Sequence, residues 1–227
     1  MPYPQDLVGK YINFRVDPGG TLSAAIAALM VNGVLPGQTS AASAGVYTSG
    51  AAALIGAHRA PGALQFASTS VPWSFTFLKY IAGAVTTAPL LGGVLTGPMS
   101  GCYLCSYSHA GQPHLAHIGT ANATDSAESI AVKAAWRTFV ARTDVGQVSG
   151  GSPFDYFTTA EFQASMLSPS GIPLVAGYFA GGSAYALLLA PVPASMTPPV
   201  PLLKVAAVKT MTLQPWATIA ALRTFRD

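Results

Sequence analysis

Charged side chains are scarce in this sequence, at 8% of 227 residues, against about 25% in a typical soluble protein. With 11 basic and 8 acidic residues the net charge is +3, and no cluster of lysine or arginine is present to neutralise a run of phosphates. This composition argues against a nucleic-acid-binding protein. Hydrophobic types reach 51%, which excludes intrinsic disorder because disordered chains combine low hydrophobicity with high net charge.

Long apolar runs are also missing. The two longest candidates, residues 22–35 and 81–95, fall short of the roughly 20 residues that a membrane-spanning helix needs. The N-terminal segment has no basic region followed by an apolar one, so we expect no Sec-type signal peptide. Two cysteines are too few for a disulfide framework. These absences lead us to expect no membrane span.

Helix and strand patterns are both present. Capping boxes at Asp125–Glu128 and Thr158–Glu161 predict two helices, and residues 21–31 a third. Strand patterns outnumber helices, so we expect a single α+β domain over residues 1–227, with a β-sandwich-like core of mainly antiparallel strands and flanking helices. The predicted strands are residues 11–16, 71–80, 174–180, 185–190 and 202–213. The predicted loops, rich in Gly, Pro and Ser and expected to border the site, are residues 41–50, 60–70 and 191–201.

A predicted hairpin brings a cysteine and a histidine together. If Ala110-Gly111 is a two-residue turn, Leu104 lies opposite His117, and Cys102 shares the face of His117 as its diagonal neighbour. Such neighbours are about 7–8 Å apart at the backbone. The same register places Gly119 opposite Cys102, which predicts open space above the sulfur.

A thiol needs a base to be a nucleophile at neutral pH, and His117 can take the proton of Cys102 and return it to a leaving group. Its other ring nitrogen needs an orienting group, for which Thr96 and Thr120 are both candidates. Backbone amides at the Ser-Gly-Cys segment are expected to form the oxyanion site. The predicted supporting residues are Ser100, Gly101 and Thr120.

The same residues allow other interpretations. Cys102, Cys105, His114 and His117 give a Cys-x2-Cys-x8-His-x2-His pattern with enough ligands for zinc, but the His spacing is short. A hairpin also sends Cys105 and His114 to the face opposite Cys102 and His117. A thioredoxin-type pair lacks its following helix, and the haem-attachment motif is absent because Ser106 stands where histidine is required. We therefore expect no metal and no cofactor.

The segment resembles the catalytic signature of the cytotoxic necrotizing factor deamidases, in which Ser-Gly-Cys precedes His-x-Gly-Thr across a hairpin of the same length. In this sequence the Ser-Gly-Cys motif ends at Cys102, and the His-x-Gly-Thr motif begins at His117. The stretch from Thr96 to Cys102 is similar to the Thr-x-x-Leu-Ser-Gly-Cys segment of the Burkholderia lethal factor toxin, where the threonine completes a Cys-His-Thr set. Chemotaxis-receptor deamidases share the spacing of six positions between the threonine and the cysteine. Pro98 and Met99 depart from the pattern.

The resemblance implies a bacterial effector or toxin, secreted and acting in the host cytoplasm, that converts one glutamine of a host protein to glutamate. It implies Cys102, His117 and Thr96 as the catalytic set. Targets in such families include Rho-type GTPases and a translation-initiation helicase. The sequence does not choose between these partners.

Two other classes remain open. One is a different thiol acyl-transfer enzyme on the same scaffold, a transglutaminase or a peptidase. The other is a noncatalytic assembly or binding module, in which Cys102 is a packing residue, since cysteine is among the most buried residue types. The low charge density fits an assembly surface.

Overall fold

The computed structural model describes residues 4–15, 47–60, 63–99, 101–121, 125–167, 172–192, 203–222 and 225. The predicted helix at residues 21–31 lies outside these ranges. Within them the chain has twelve strands in two sheets and three α-helices, so the prediction of an α+β fold is confirmed.

The elements are numbered in chain order. The strands are β1 (Tyr11–Arg15), β2 (Tyr47–Ala60), β3 (Ala63–Lys79), β4 (Val85–Pro89), β5 (Val94–Met99), β6 (Tyr103–His109), β7 (Gln112–Ile118), β8 (Val145–Gly151), β9 (Leu174–Ala180), β10 (Ser183–Pro191), β11 (Leu203–Met211) and β12 (Gln214–Pro215). The helices are α1 (Ala127–Val140), α2 (Thr159–Ser165) and α3 (Trp216–Ala221), with short 3-10 turns at Pro4–Leu7 and Pro153–Tyr156.

Seven strands close into a barrel in the order β1-β11-β10-β9-β5-β3-β2, and five form a second sheet in the order β12-β8-β6-β7-β4. Among the described pairings only β3 with β5 is parallel; the others are antiparallel. The predicted core of mainly antiparallel strands is therefore confirmed.

Side chains on the barrel wall alternate between the barrel interior and the second sheet, as the two-residue period of a strand requires. Leu95 and Tyr178 pack inside the barrel with Trp73. Val94, next to Leu95, instead belongs to a cluster that includes Leu104 of the second sheet. Barrel wall and second sheet therefore stack in a sandwich-like arrangement.

Helix α1 covers the other face of the second sheet, where Trp136 packs with Tyr103 and Cys105. The helix itself was predicted, but its cap differs by one residue. Ser126, rather than Asp125, is the N-cap and accepts a hydrogen bond from the Ser129 amide, while Asp125 is exposed. The second predicted box is confirmed, because the Thr158 and Glu161 side chains cap each other's backbone at the start of α2.

The long β2–β3 hairpin was not predicted. Residues 47–50, 60 and 63–70, expected to be loops, belong to these two strands: residues 47–50 pair with residues 75–78, and residues 63–70 pair with residues 55–60. Alanine, serine and glycine dominate this part of the chain, so the apolar alternation that indicates a strand is weak there. No helix in the described ranges is long and apolar enough to cross a membrane.

Candidate functional site

The hairpin that carries the predicted site has the predicted register. Leu104 lies opposite His117, and Tyr103 lies opposite Ile118. The turn residues Ala110 and Gly111 have φ values of 49° and 77°, which is the conformation of a two-residue turn that matches strand twist. The shared face of Cys102 and His117 follows from this register.

The two cysteines lie on opposite sides of the second sheet. Cys102, directly before β6, packs in the cluster between the sheet and the barrel. Cys105 packs with Trp136 beneath helix α1, and His114 stacks on Tyr107 of the same side. Neither cysteine is in a disulfide. In the described part of the chain, no group of three or more His, Cys, Asp or Glu side chains is placed to hold a metal ion.

Thr96 and His117 meet between the barrel and the second sheet. The Thr96 hydroxyl lies 2.7 Å from Nδ1 of His117, and both side chains are fully buried. A β-bulge follows Thr96, because the pairing of β5 with β9 shifts between Thr96 and Met99. Bulges of this kind re-aim side chains on a strand. Of the two candidate orienting groups, Thr96 is the one that contacts the imidazole.

A glycine on the barrel wall allows this contact. Gly177 of β9 pairs with Thr96, and a Cβ at Gly177 would overlap the Cδ1 atom of Leu104, with Cγ2 of Thr96 3.5 Å away. Leu104 is the hairpin partner of His117. The missing side chain at Gly177 therefore lets the two sheets approach closely enough for the threonine to reach the histidine.

The other ring nitrogen of His117, Nε2, is buried and has no hydrogen-bond partner among the described residues. Burial lowers the pKa of His117 to about 3, because a charged imidazolium is poorly solvated there. The ring is therefore neutral at pH 7. Its Nδ1 atom is hydrogen-bonded to the Thr96 hydroxyl, and its Nε2 atom has no hydrogen-bond partner among the described residues.

Thr120 lies beside the sulfur. Its Oγ1 atom is 3.7 Å from Sγ of Cys102, and Cys102 is only 3% exposed. The segment after Thr120 is tied to helix α1, because the Ala121 amide donates to the Ser129 hydroxyl, which itself donates to the Ala121 carbonyl. Gly101, next to Cys102, is partly buried, and Ser100 lies outside the described residues. Thr120 thus lies beside the thiol, whereas Thr96 contacts the imidazole.

Gly119 has a different role from the one expected. A Cβ at this position would collide with the Ile81 carbonyl oxygen and lie 2.9 Å from that of Ala84. The Gly119 amide also donates to the Ala84 carbonyl at 2.9 Å. Glycine is therefore required because the backbone at residues 81–84 packs against it, and the expected open space above the sulfur is wrong.

Sequence reasoning missed Tyr80. Its hydroxyl donates to the Thr120 carbonyl at 2.7 Å, and its ring centroid lies 5.4 Å from that of His117. Tyr80 follows β3 and, by two-residue alternation, shares the face of Leu78, which packs between barrel and sheet. This parity was readable from the sequence, but the parallel pairing of β3 with β5 that brings Tyr80 to the site was not.

Comparisons with protein families, curated proteins and solved structures found no match to the chain.

Proposed function

We propose that this protein is a thiol-dependent protein-glutamine deamidase, with Cys102 as nucleophile, His117 as base and Thr96 as the group that orients the base. The observation that carries the proposal is the 2.7 Å contact of Thr96 Oγ1 with Nδ1 of His117, together with a buried Nε2 that has no other described partner. The resemblance of residues 96–120 to deamidase toxins supports the same roles.

The proton positions follow from these contacts. For Nε2 to accept a proton, the neutral ring must carry its own proton on Nδ1, where the Thr96 hydroxyl oxygen can accept it. The opposite tautomer would leave a buried N–H donor on Nε2 unpaired, and the large majority of buried side-chain polar atoms in native proteins are hydrogen-bonded. The environment of His117 therefore favours the tautomer that base catalysis needs.

In the proposed reaction Nε2 accepts the Cys102 proton while the sulfur attacks the carboxamide carbon of glutamine, in one step, because a ring whose pKa is lowered to about 3 does not hold the thiol proton beforehand. The tetrahedral oxyanion would be held by backbone amides at Gly101 and Cys102. His117 then gives its proton to the departing nitrogen, and the C–N bond breaks. Ammonia is released, and the glutamine acyl group remains bound to Cys102 as a thioester. Water, deprotonated by His117, hydrolyses the thioester to glutamate and restores the thiol.

Burial of the nucleophile favours a primary carboxamide over a peptide bond. Cys102 is only 3% exposed, so the reacting group must reach it through a narrow approach. A peptide bond carries chain on both sides of its carbonyl, whereas a glutamine carboxamide is the free end of a slender side chain. The site therefore suits side-chain deamidation better than peptide hydrolysis.

The test is a proteome-wide search for deamidated glutamines in a eukaryotic cell extract treated with the protein. Rho-type GTPases and translation-initiation helicases are the first substrates to inspect. Conversion replaces NH2 by OH, a gain of about 1 Da, and Cys102→Ser and Cys105→Ser provide the matched pair of variants. We expect specific glutamines to change with wild type and Cys105→Ser but not with Cys102→Ser.

Two results would contradict the proposal. One is equal conversion by Cys102→Ser, which removes the nucleophile from the mechanism. The other is no conversion by wild-type protein whose Cys102 reacts readily with iodoacetamide. Adding a primary amine distinguishes the related transglutaminase activity, since the amine would then be incorporated at the same glutamines in place of water.

A further inference from the structure

Tyr80 connects the end of β3 to strand β7, which carries His117, and to the segment after β7, which carries Thr120. It follows β3, contacts the main chain after β7 through its hydroxyl, and places its ring beside that of His117. The ring also packs against the apolar cluster that contains Cys102. These contacts come from one half-buried side chain, and neither the sequence motif nor the mechanism above uses it.

The phenol is anchored as a donor. Its hydroxyl donates to the Thr120 carbonyl at 2.7 Å, the usual length of an O–H···O hydrogen bond. Burial, and then the charge that Cys102 carries as a thiolate, raise the pKa of Tyr80. Tyr80 therefore stays protonated at neutral pH and keeps this bond, so it is suited to fixing the main chain rather than to transferring protons.

The anchored residue in turn contacts the nucleophile. Thr120 presents Oγ1 to Cys102 Sγ at 3.7 Å, and its amide donates to the Ile118 carbonyl at 3.2 Å. A hydroxyl donor near sulfur stabilises the thiolate, because hydrogen bonds to a charged acceptor are stronger than neutral ones. If the Thr120 backbone moves, this donor moves with it.

We infer that Tyr80 is a positioning residue that fixes the Thr120 main chain so that the Thr120 hydroxyl can donate to the Cys102 thiolate. The inference rests on the proposed function for the role of Cys102 as nucleophile. It deepens that proposal by assigning thiolate stabilisation to a Tyr80–Thr120 pair that is separate from the Thr96–His117 pair.

The test measures the rate of iodoacetamide alkylation of Cys102 between pH 5 and pH 9, with the adduct located by fragment mass spectrometry. Tyr80→Phe keeps the ring and removes the hydrogen bond, so we expect about a tenfold slower reaction at pH 7. We also expect a shift of the profile toward higher pH, with the same rate at its plateau. Tyr156→Phe is the matched control, because the Tyr156 hydroxyl also donates to a main-chain carbonyl, that of Thr212. It should leave the profile unchanged.

Variants of the second residue complete the test. Thr120→Ser keeps a hydroxyl and should retain the wild-type profile, while Thr120→Val should reproduce the shift of Tyr80→Phe. The double variant that combines Tyr80→Phe with Thr120→Val should lose little more than either single variant, because both substitutions remove the same donor from the sulfur.

The inference is overturned if Tyr80→Phe has the profile of Tyr156→Phe, or loses rate equally at every pH. Additive losses in the double variant would also overturn it. These outcomes are independent of the proposed function, which fails instead if wild-type Cys102 does not react, or if it reacts and no glutamine is converted.

Discussion

The Thr96–His117 contact allows stability and chemistry to be perturbed separately. Thr96→Val keeps the shape of the side chain and removes the hydroxyl that lies 2.7 Å from Nδ1. Thr96→Ser keeps that hydroxyl and removes Cγ2, a methyl group in a fully buried position. Comparison of the two variants distinguishes an orienting role from a packing role.

The valine variant leaves a buried ring nitrogen without its partner. Such a loss costs about 1–3 kcal/mol of folding free energy, which for a chain of this size lowers Tm by about 2–4 °C per kcal/mol. The serine variant loses a buried methyl group, worth about 1 kcal/mol with the small cavity it leaves. Both variants should therefore be less stable than wild type, by amounts that overlap.

Their chemistry should differ clearly. Thr96→Val removes the hydroxyl that favours the His117 tautomer that accepts a proton at Nε2. We expect Thr96→Val to alkylate about tenfold more slowly with iodoacetamide at pH 7, the equivalent of ~1.4 kcal/mol, while Thr96→Ser stays within about twofold of wild type. Denaturant unfolding measures the stability of each variant. The reasoning is refuted if Thr96→Val reacts as fast as wild type, or if Thr96→Ser is slowed as much as the valine variant.

Two further predictions concern the packing around this contact and the pH dependence of stability. Gly177→Ala should destabilise the protein by about 1–3 kcal/mol and slow Cys102 alkylation, because its Cβ would push Leu104 away. Gly151→Ala is the control, because there the added Cβ only touches Met211 Cε at 3.7 Å. Denaturant unfolding should show no comparable loss for this control, and equal losses in the two variants would contradict the prediction. The lowered pKa of His117, about 3 against 6.5, means that the unfolded state binds the proton first as pH falls. Stability should therefore be fully present above about pH 6.5 and decline toward pH 3, by up to about 5 kcal/mol, and unfolding measured between pH 4.5 and 7 should show a shallower slope for His117→Gln.

Local pattern was enough to predict the hairpin and the two capped helices. The β6–β7 register follows from a two-residue turn at Ala110-Gly111, and a two-residue period then fixes which side chains share a face. The helix at residues 127–140 follows from its cap and its amphipathic run, although the cap is Ser126 and not the predicted Asp125.

Contacts between distant segments could not be predicted in the same way. Thr96 reaches His117 only because β5 belongs to the barrel and β7 to the second sheet, and because Gly177 on a third strand leaves room between them. Tyr80 reaches the site through a parallel strand pair that no local signal indicates. Motif spacing therefore predicted the candidate reacting groups, while the residues that contact them depend on sheet topology.

The most direct measurement of the central claim is the alkylation rate of Cys102 at pH 7 in wild-type protein and in His117→Gln, with Cys105 monitored in the same spectra as the buried reference. A thiol served by an imidazole should react quickly in the wild type and at least about tenfold more slowly once that imidazole is replaced. Equal, slow rates for Cys102 in both proteins, no faster than those of Cys105, would show a cysteine that only fills space between the sheets.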